Sequence, residues 1–280
     1  MKKFLVFQSD FGLVDGAVSA MYGVALGVDA NLKTFDLTHN IPPYNIFEAS
    51  YRLVQTVEYW PEGTVFVSVV DPGVGTNRKS VVALTKTGQY IVTPDNGTLT
   101  HICKHVGLEA VREIEERKHR RENTEASYTF HGRDVYAYTG AKLASGLISY
   151  EEVGPQLDMH DTVILPTTES ELECDHVIGT IDVLDVRFGS LWTSIDHKMF
   201  STLGISFGEK LEVSIFNNAM LVYQNTITYG RSFADVMVGG AIVYTNSLFR
   251  MGIAINQGSF AKAYNIGTGQ QWKVAMRKVT

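Results

Sequence analysis

The sequence predicts a two-domain α/β protein. An N-terminal α/β domain built on a parallel sheet (residues 1–165) precedes a smaller antiparallel β domain, a small barrel or sandwich (residues 170–280). Three observations predict this. From Phe4 to Val70, short apolar runs alternate with helical stretches in the order strand, helix, strand, helix, strand, the signature of parallel strands joined by crossover helices. From Val177 onward strand-like runs dominate. Between them, Pro155 to Glu173 has little periodicity and reads as a linker crossing the surface.

Phe4 to Phe7 is the first strand, closed by Ser9-Asp10-Phe11-Gly12. Asp15 to Val28 reads as a helix whose small residues allow close packing, and Lys33 to Leu37 as a second strand running into Thr38-His39. A helix over Ile46–Tyr59 leads to the β-branched run Thr64–Val70, a buried strand. Val81–Leu84 and Tyr90–Val92 form a hairpin, and Leu99–Val106 a helix. Glu113 to Asn123, crowded with charge of both signs, reads as a solvated surface stretch; a helix over Val135–Ser145 follows. In the second half, Val177–Leu184, Leu191–Ile195 and Lys210–Phe216 are strands, with a turn at Asn217-Asn218.

Composition narrows the function classes. Of 280 residues, 45% are hydrophobic and 19% charged, which suits a packed globular protein rather than a disordered one. A net charge of -6 gives no electrostatic reason to expect a nucleic-acid partner, so a small molecule is the default ligand. The two cysteines, Cys103 and Cys174, lack metal-ligand spacing and fit reducing surroundings, hence a cytoplasmic location. The apolar run after Lys2-Lys3 stops at Gln8, short of a signal-peptide core. No window reaches the roughly 20 apolar residues of a membrane-spanning helix.

The strand ends carry the chemistry. Open α/β sheets bind ligands beyond the carboxyl ends of their strands. Here successive parallel strands end in Asp10, in Thr38 and His39, and in Asp71, which precedes Pro72-Gly73-Val74-Gly75 with Arg78 seven residues on. His131, Arg133 and Asp134 open a later helix. A histidine beside carboxylates and an arginine can orient and polarise water. Each residue also has a plainer reading: Asp71 as a turn cap, Asp10 and His131 as helix caps, Arg133 with Asp134 as a surface ion pair. The dinucleotide, Walker, Gly-x-Ser-x-Gly and His-Glu-x-x-His signatures are absent; His101 and His105 are the one pair at helical ligand spacing, without further ligands.

Four ordered motifs resemble the S-adenosyl-L-methionine (SAM) hydroxide adenosyltransferase family, the adenosine-forming SAM hydrolases related to fluorinase and chlorinase. They are Ser9-Asp10-Phe11-Gly12, Asp71-Pro72-Gly73-Val74-Gly75 with Arg78, Pro94-Asp95-Asn96-Gly97, and Phe130-His131-Gly132-Arg133-Asp134. Asp185–Thr193 and Asn246-Ser247 also look like family positions. The resemblance implies attack of water or hydroxide on the ribose 5′-carbon of SAM, giving adenosine and L-methionine without a metal or redox cofactor. It implies a β-barrel-like C-terminal domain and a homotrimer with sites between subunits. Carried over by motif, Asp71, Arg78 and His131 form a water-activating triad and Asp10 binds the ribose hydroxyls. Tyr44 stacks on the ligand, and Asp185, Ser190 and Ser247 hold the methionine part. Leu248 departs from relatives that carry arginine there. The halogenating relatives have tyrosine in place of Asp71 and Tyr-Ser in place of His131-Gly132. A carboxylate repels a halide, so Asp71 favours water over fluoride or chloride. Halogenation at the same carbon and a non-catalytic SAM or nucleoside sensor are the alternative readings.

Overall fold

A computed structural model describes residues 4–279, in two compact units, Met1–Leu165 and Pro166–Thr280. Among the described residues, the first unit holds a seven-stranded sheet ordered β2-β1-β3-β5-β4-β6-β7. Its strands are β1 (Phe4–Ser9), β2 (Lys33–Thr38), β3 (Val65–Val69), β4 (Ser80–Thr85), β5 (Tyr90–Pro94), β6 (Leu108–Glu113) and β7 (Gln156–Leu157). Strands β2, β1, β3 and β5 are parallel; β4, β6 and β7 add an antiparallel half. The sheet is parallel-rich rather than wholly parallel.

The helices are α1 (Ala17–Val28), α2 (Ile46–Val54), α3 (Thr100–His105), α4 (Glu116–His119) and α5 (Tyr138–Ser145). They cover both faces, which is why β1 and β3 read as near-continuous apolar runs. On one face Leu5, Phe7, Val65 and Val67 pack with Met21, Ala25, Tyr136 and Ala141; on the other Val6, Phe66 and Ile91 pack with Leu53, Val57, Leu99 and Ile102.

Three stretches differ from expectation. The helix beginning at Ile46, capped by Asn45 accepting from the Glu48 N–H, ends at Val54; a separate 3₁₀ turn covers Val57–Tyr59, with Val57 fully buried. Leu108–Glu113 is a strand, its apolar positions Leu108 and Val111 buried amid charged neighbours that hide the pattern. Residues 113–123 are not simply solvated surface: α4 lies here, His119 is buried, and the Arg120 side chain is only 8% exposed.

The second unit is a closed β-barrel. Its strands are β8 (Glu171–Glu173), β9 (His176–Leu184), β10 (Leu191–Asp196), β11 (Lys210–Asn217), β12 (Met220–Tyr229), β13 (Ala241–Thr245), β14 (Arg250–Ile255) and β15 (Gly269–Lys278), with short helices α6 (His197–Ser201) and α7 (Phe260–Tyr264). Seven strands form the ring β9-β10-β14-β13-β12-β11-β15, which returns to β9; β8 pairs only with β9. Among the described residues the ring is antiparallel except for β12 with β13. Alternate residues, such as Val213 and Ile215 on β11 and Val274 and Met276 on β15, fill the interior.

Candidate active site

Because β1, β2 and β3 are parallel neighbours, Asp10, His39 and Asp71 follow their carboxyl ends along one edge of the sheet. A cavity of about 340 Å³ opens there, lined by Asp10, Phe11, Tyr44, Asp71, Phe130 and His131, among others. A chain of side chains runs beside it from buried Ser9 and His39 out to exposed Asp36. The Ser9 hydroxyl lies 2.7 Å from His39 Nδ1, and His39 Nε2 lies 2.8 Å from Asp36 Oδ1. The Asp10 carboxylate accepts from the Tyr44 N–H at 2.9 Å. Tyr44 has a φ of 67°, a left-handed conformation uncommon for a residue with a side chain, and its ring is 73% exposed.

Asp71, Arg78 and His131 meet at the cavity wall. The Arg78 guanidinium forks onto Asp71, with Nε to Oδ1 at 2.9 Å and Nη2 to Oδ2 at 2.5 Å, the planar match that arginine makes with a carboxylate. The same Nη2 lies 3.2 Å from His131 Nδ1, and Nη1 donates to the Ser80 hydroxyl at 3.0 Å. These side chains are 11% (Arg78), 5% (Asp71) and 4% (His131) exposed. His131, itself in a helical conformation, stands at the start of a π-helical turn, Gly132–Ala137, that leads into α5. Glycine at 132 permits this close approach: a Cβ there would lie 3.1 Å from Val69 and 3.3 Å from the Phe11 ring.

Burial lowers the pKa of His131; Glu116 opposes the shift, whereas Arg120 and Arg78 reinforce it. The ring is therefore neutral at pH 7 and can accept a proton. Burial acts to lower the Arg78 pKa, but the hydrogen bond to Asp71 and the nearby negative groups outweigh it and raise the value.

Sequence reasoning missed two residues here. Arg120 Nη2 lies 2.5 Å from His131 Nε2, and Glu116 Oε2 lies 3.6 Å from the same nitrogen. Glu116 also accepts from the Ser80 hydroxyl at 2.8 Å. Glu116 opens α4 and Arg120 follows its last residue in an extended conformation; their i, i+4 spacing was the available signal. Arg133 pairs with Asp134; the carboxylate is fully buried and the Arg133 side chain half-buried, so the pair joins the core to the surface rather than lying on the surface alone.

Asp185, Ser190 and Ser247 belong to the second unit. Asp185 caps a turn, accepting from the N–H groups of Arg187 and Phe188, and its own N–H bonds the Ser190 carbonyl. Ser190 is buried and hydrogen-bonds Tyr244, whose hydroxyl also accepts from the Trp192 indole. Ser247 is exposed in the turn organised by the Asn246 side chain.

No group of three His, Cys, Asp or Glu residues among those described could hold a metal ion. His101 and His105 stack at 6.2 Å, and the Ser50 hydroxyl contacts His101. No described helix is long and apolar enough to cross a membrane.

Comparison with known proteins is consistent along the chain. Residues 5–154 match the model of the SAM hydroxide adenosyltransferase N-terminal domain, and residues 179–273 that of its C-terminal domain. An (R)-S-adenosyl-L-methionine hydrolase of Methanocaldococcus jannaschii is 39% identical over 74% of each chain. One from Salinispora arenicola is 31% identical over 97% of each. A fluorinase of Nocardia brasiliensis is 28% identical over 96% of this chain and 95% of its own. A conserved protein of Thermotoga maritima has a crystal structure with a TM-score of 0.90 at 31% identity, covering 98% of this chain and all of the other.

Proposed function

The chain belongs to the SAM hydroxide adenosyltransferase family, and from that premise we propose that it hydrolyses SAM to adenosine and L-methionine by attack of an activated water on the ribose 5′-carbon. The observation that carries the reading is that Asp71 and His131, both contacted by the Arg78 guanidinium, line one cavity with Asp10.

The chemistry fits the groups. A sulfonium leaves as a neutral thioether, so the leaving group needs little acid assistance and no metal or redox cofactor. The demand is to hold an oxygen nucleophile in line with the carbon–sulfur bond and to remove its proton. Asp71 and neutral His131 orient the water and take its proton, while Arg78 stabilises the developing hydroxide. Asp10 accepts hydrogen bonds from the ribose hydroxyls and exposed Tyr44 stacks on the ligand. Asp185, Ser190 and Ser247 bind the methionine moiety. The reading extends to a homotrimer with sites between subunits and to a reducing, cytoplasmic location that keeps Cys103 and Cys174 as thiols. Against halogenation stands the Asp71 carboxylate, which repels a halide in a desolvated pocket.

Purified protein incubated with SAM, with and without chloride, tests the proposal by chromatography. Adenosine and methionine are expected in both, and lost in Asp71→Ala and His131→Ala. SAM that stays intact while raising the melting temperature would make the protein a binder and overturn the hydrolase reading.

A further inference from the structure

Hydrolysing a sulfonium with neutral water releases one proton: the water O–H bond breaks, a C–O bond forms at the 5′-carbon, and the carbon–sulfur electron pair leaves with methionine. That proton must leave a buried site. Asp71 and His131 are each at most 5% exposed.

The ring of His131 has guanidinium nitrogens on both sides, Arg78 at Nδ1 and Arg120 at Nε2. A neutral imidazole has one lone pair, so both arginines cannot donate to it at once. Once the ring gains a proton, both nitrogens are donors and each needs an acceptor. On the Nδ1 side the nearest carboxylate partner is Asp71, reached through Arg78 Nη2; on the Nε2 side the carboxylate is Glu116, at 3.6 Å. The remaining groups around the ring are the Tyr128 ring, at 6.0 Å, and the Tyr136 hydroxyl behind Arg78, bonded to Ser80. Glu116 differs from Asp71 in one respect that matters: its side chain is 34% exposed.

Resting on the hydrolase reading, we propose that Glu116 is the outlet for the reaction proton, accepting it from His131 Nε2 and releasing it to solvent, with Arg120 as a positioning residue. In the Nε2–H tautomer the Nδ1 lone pair takes the reaction proton, Arg120 turns its N–H groups to Glu116, 3.7 Å away, and the Nε2 proton passes to that carboxylate. Ser80 donates to the other Glu116 oxygen and links it to Arg78, holding the carboxylate in register with the triad.

Steady-state hydrolysis of SAM by the full-length protein tests this. Glu116→Gln keeps the side-chain shape and an oxygen for Ser80 but removes the base; kcat falls about tenfold to a hundredfold with KM for SAM unchanged. Glu116→Ala falls similarly, and added formate restores its rate in proportion to concentration while leaving the wild type unaffected. Wild-type kcat in Glu116→Gln, or a loss in Glu116→Ala that formate does not restore, overturns the proton route and leaves the hydrolase reading standing. A wild-type protein that makes no adenosine sinks both.

Discussion

Replacing Asp71 by asparagine removes one charge from a pair that is almost wholly out of water, with 5% and 11% of the two side chains exposed. The variant keeps the shape of the side chain and leaves the Arg78 guanidinium buried without its bidentate partner. Breaking a buried pair in this way costs roughly 3–5 kcal/mol, most of it from the uncompensated charge. Two features of the site moderate the loss: Arg78 keeps its bond to the Ser80 hydroxyl, and the Glu116 charge remains nearby. The expected cost is therefore near the lower end, about 3 kcal/mol, or a fall in melting temperature of about 6–12 °C for a unit of this size. Scanning calorimetry of the wild type, Asp71→Asn, Arg78→Met and the double variant gives the coupling energy directly. The double variant carries no stranded charge and should be more stable than Asp71→Asn alone. A shift below about 1 °C in Asp71→Asn, or a double variant whose loss equals the sum of the singles, would refute the reasoning about a desolvated, coupled pair.

The remaining predictions concern the base, the nucleophile and the packing behind them. Because the His131 pKa is lowered, the acid limb of kcat/KM against pH should lie below the ordinary histidine value of 6.5. The same shift means that the unfolded chain protonates first, so stability contributed by this ring is lost as pH falls from 6.5 through the folded value; a limb above 6.5 contradicts it. His131→Ala should keep SAM affinity by calorimetry but lose about 10²–10⁴ in turnover, as expected for loss of a general base. Saturating chloride or fluoride should yield no 5′-halogenated nucleoside by mass spectrometry, since Asp71 repels the anion. Gly140→Ala would put a Cβ 2.5 Å from the Val67 side chain, where α5 packs on the sheet; overpacking there should cost about 1–3 kcal/mol in a denaturant melt.

The centre of the parallel half of the first unit was legible because β1 and β3 are buried on both faces. Phe4–Phe7 is apolar without interruption, Val65–Val70 is broken only by the buried Ser68, and the intervening helices have the matching length. Leu108–Glu113 was not legible: an outer strand with charged residues on its exposed positions carries too few apolar side chains to stand out from the charged stretch that follows it. Strand density alone pointed to a barrel or a sandwich, and the family resemblance to the barrel; neither gave the parallel pairing of β12 with β13, which depends on a long connection between them rather than on either strand's residues. The motifs named Asp71, Arg78 and His131, and the structure puts Asp71 and His131 each within hydrogen-bond reach of Arg78. Glu116 and Arg120 escaped because interleaved acids and bases look the same whether they meet solvent or a buried histidine. Only the fold, which brings α4 against the segment before α5, tells the two apart.

The measurement that bears most directly on the central claim is the fate of the water oxygen. In water enriched in oxygen-18, turnover of SAM should give adenosine carrying one heavy oxygen at the 5′-hydroxyl and unlabelled methionine, as attack of water at the ribose carbon requires. Adenosine without the label, or label in the methionine fragment, would contradict that account.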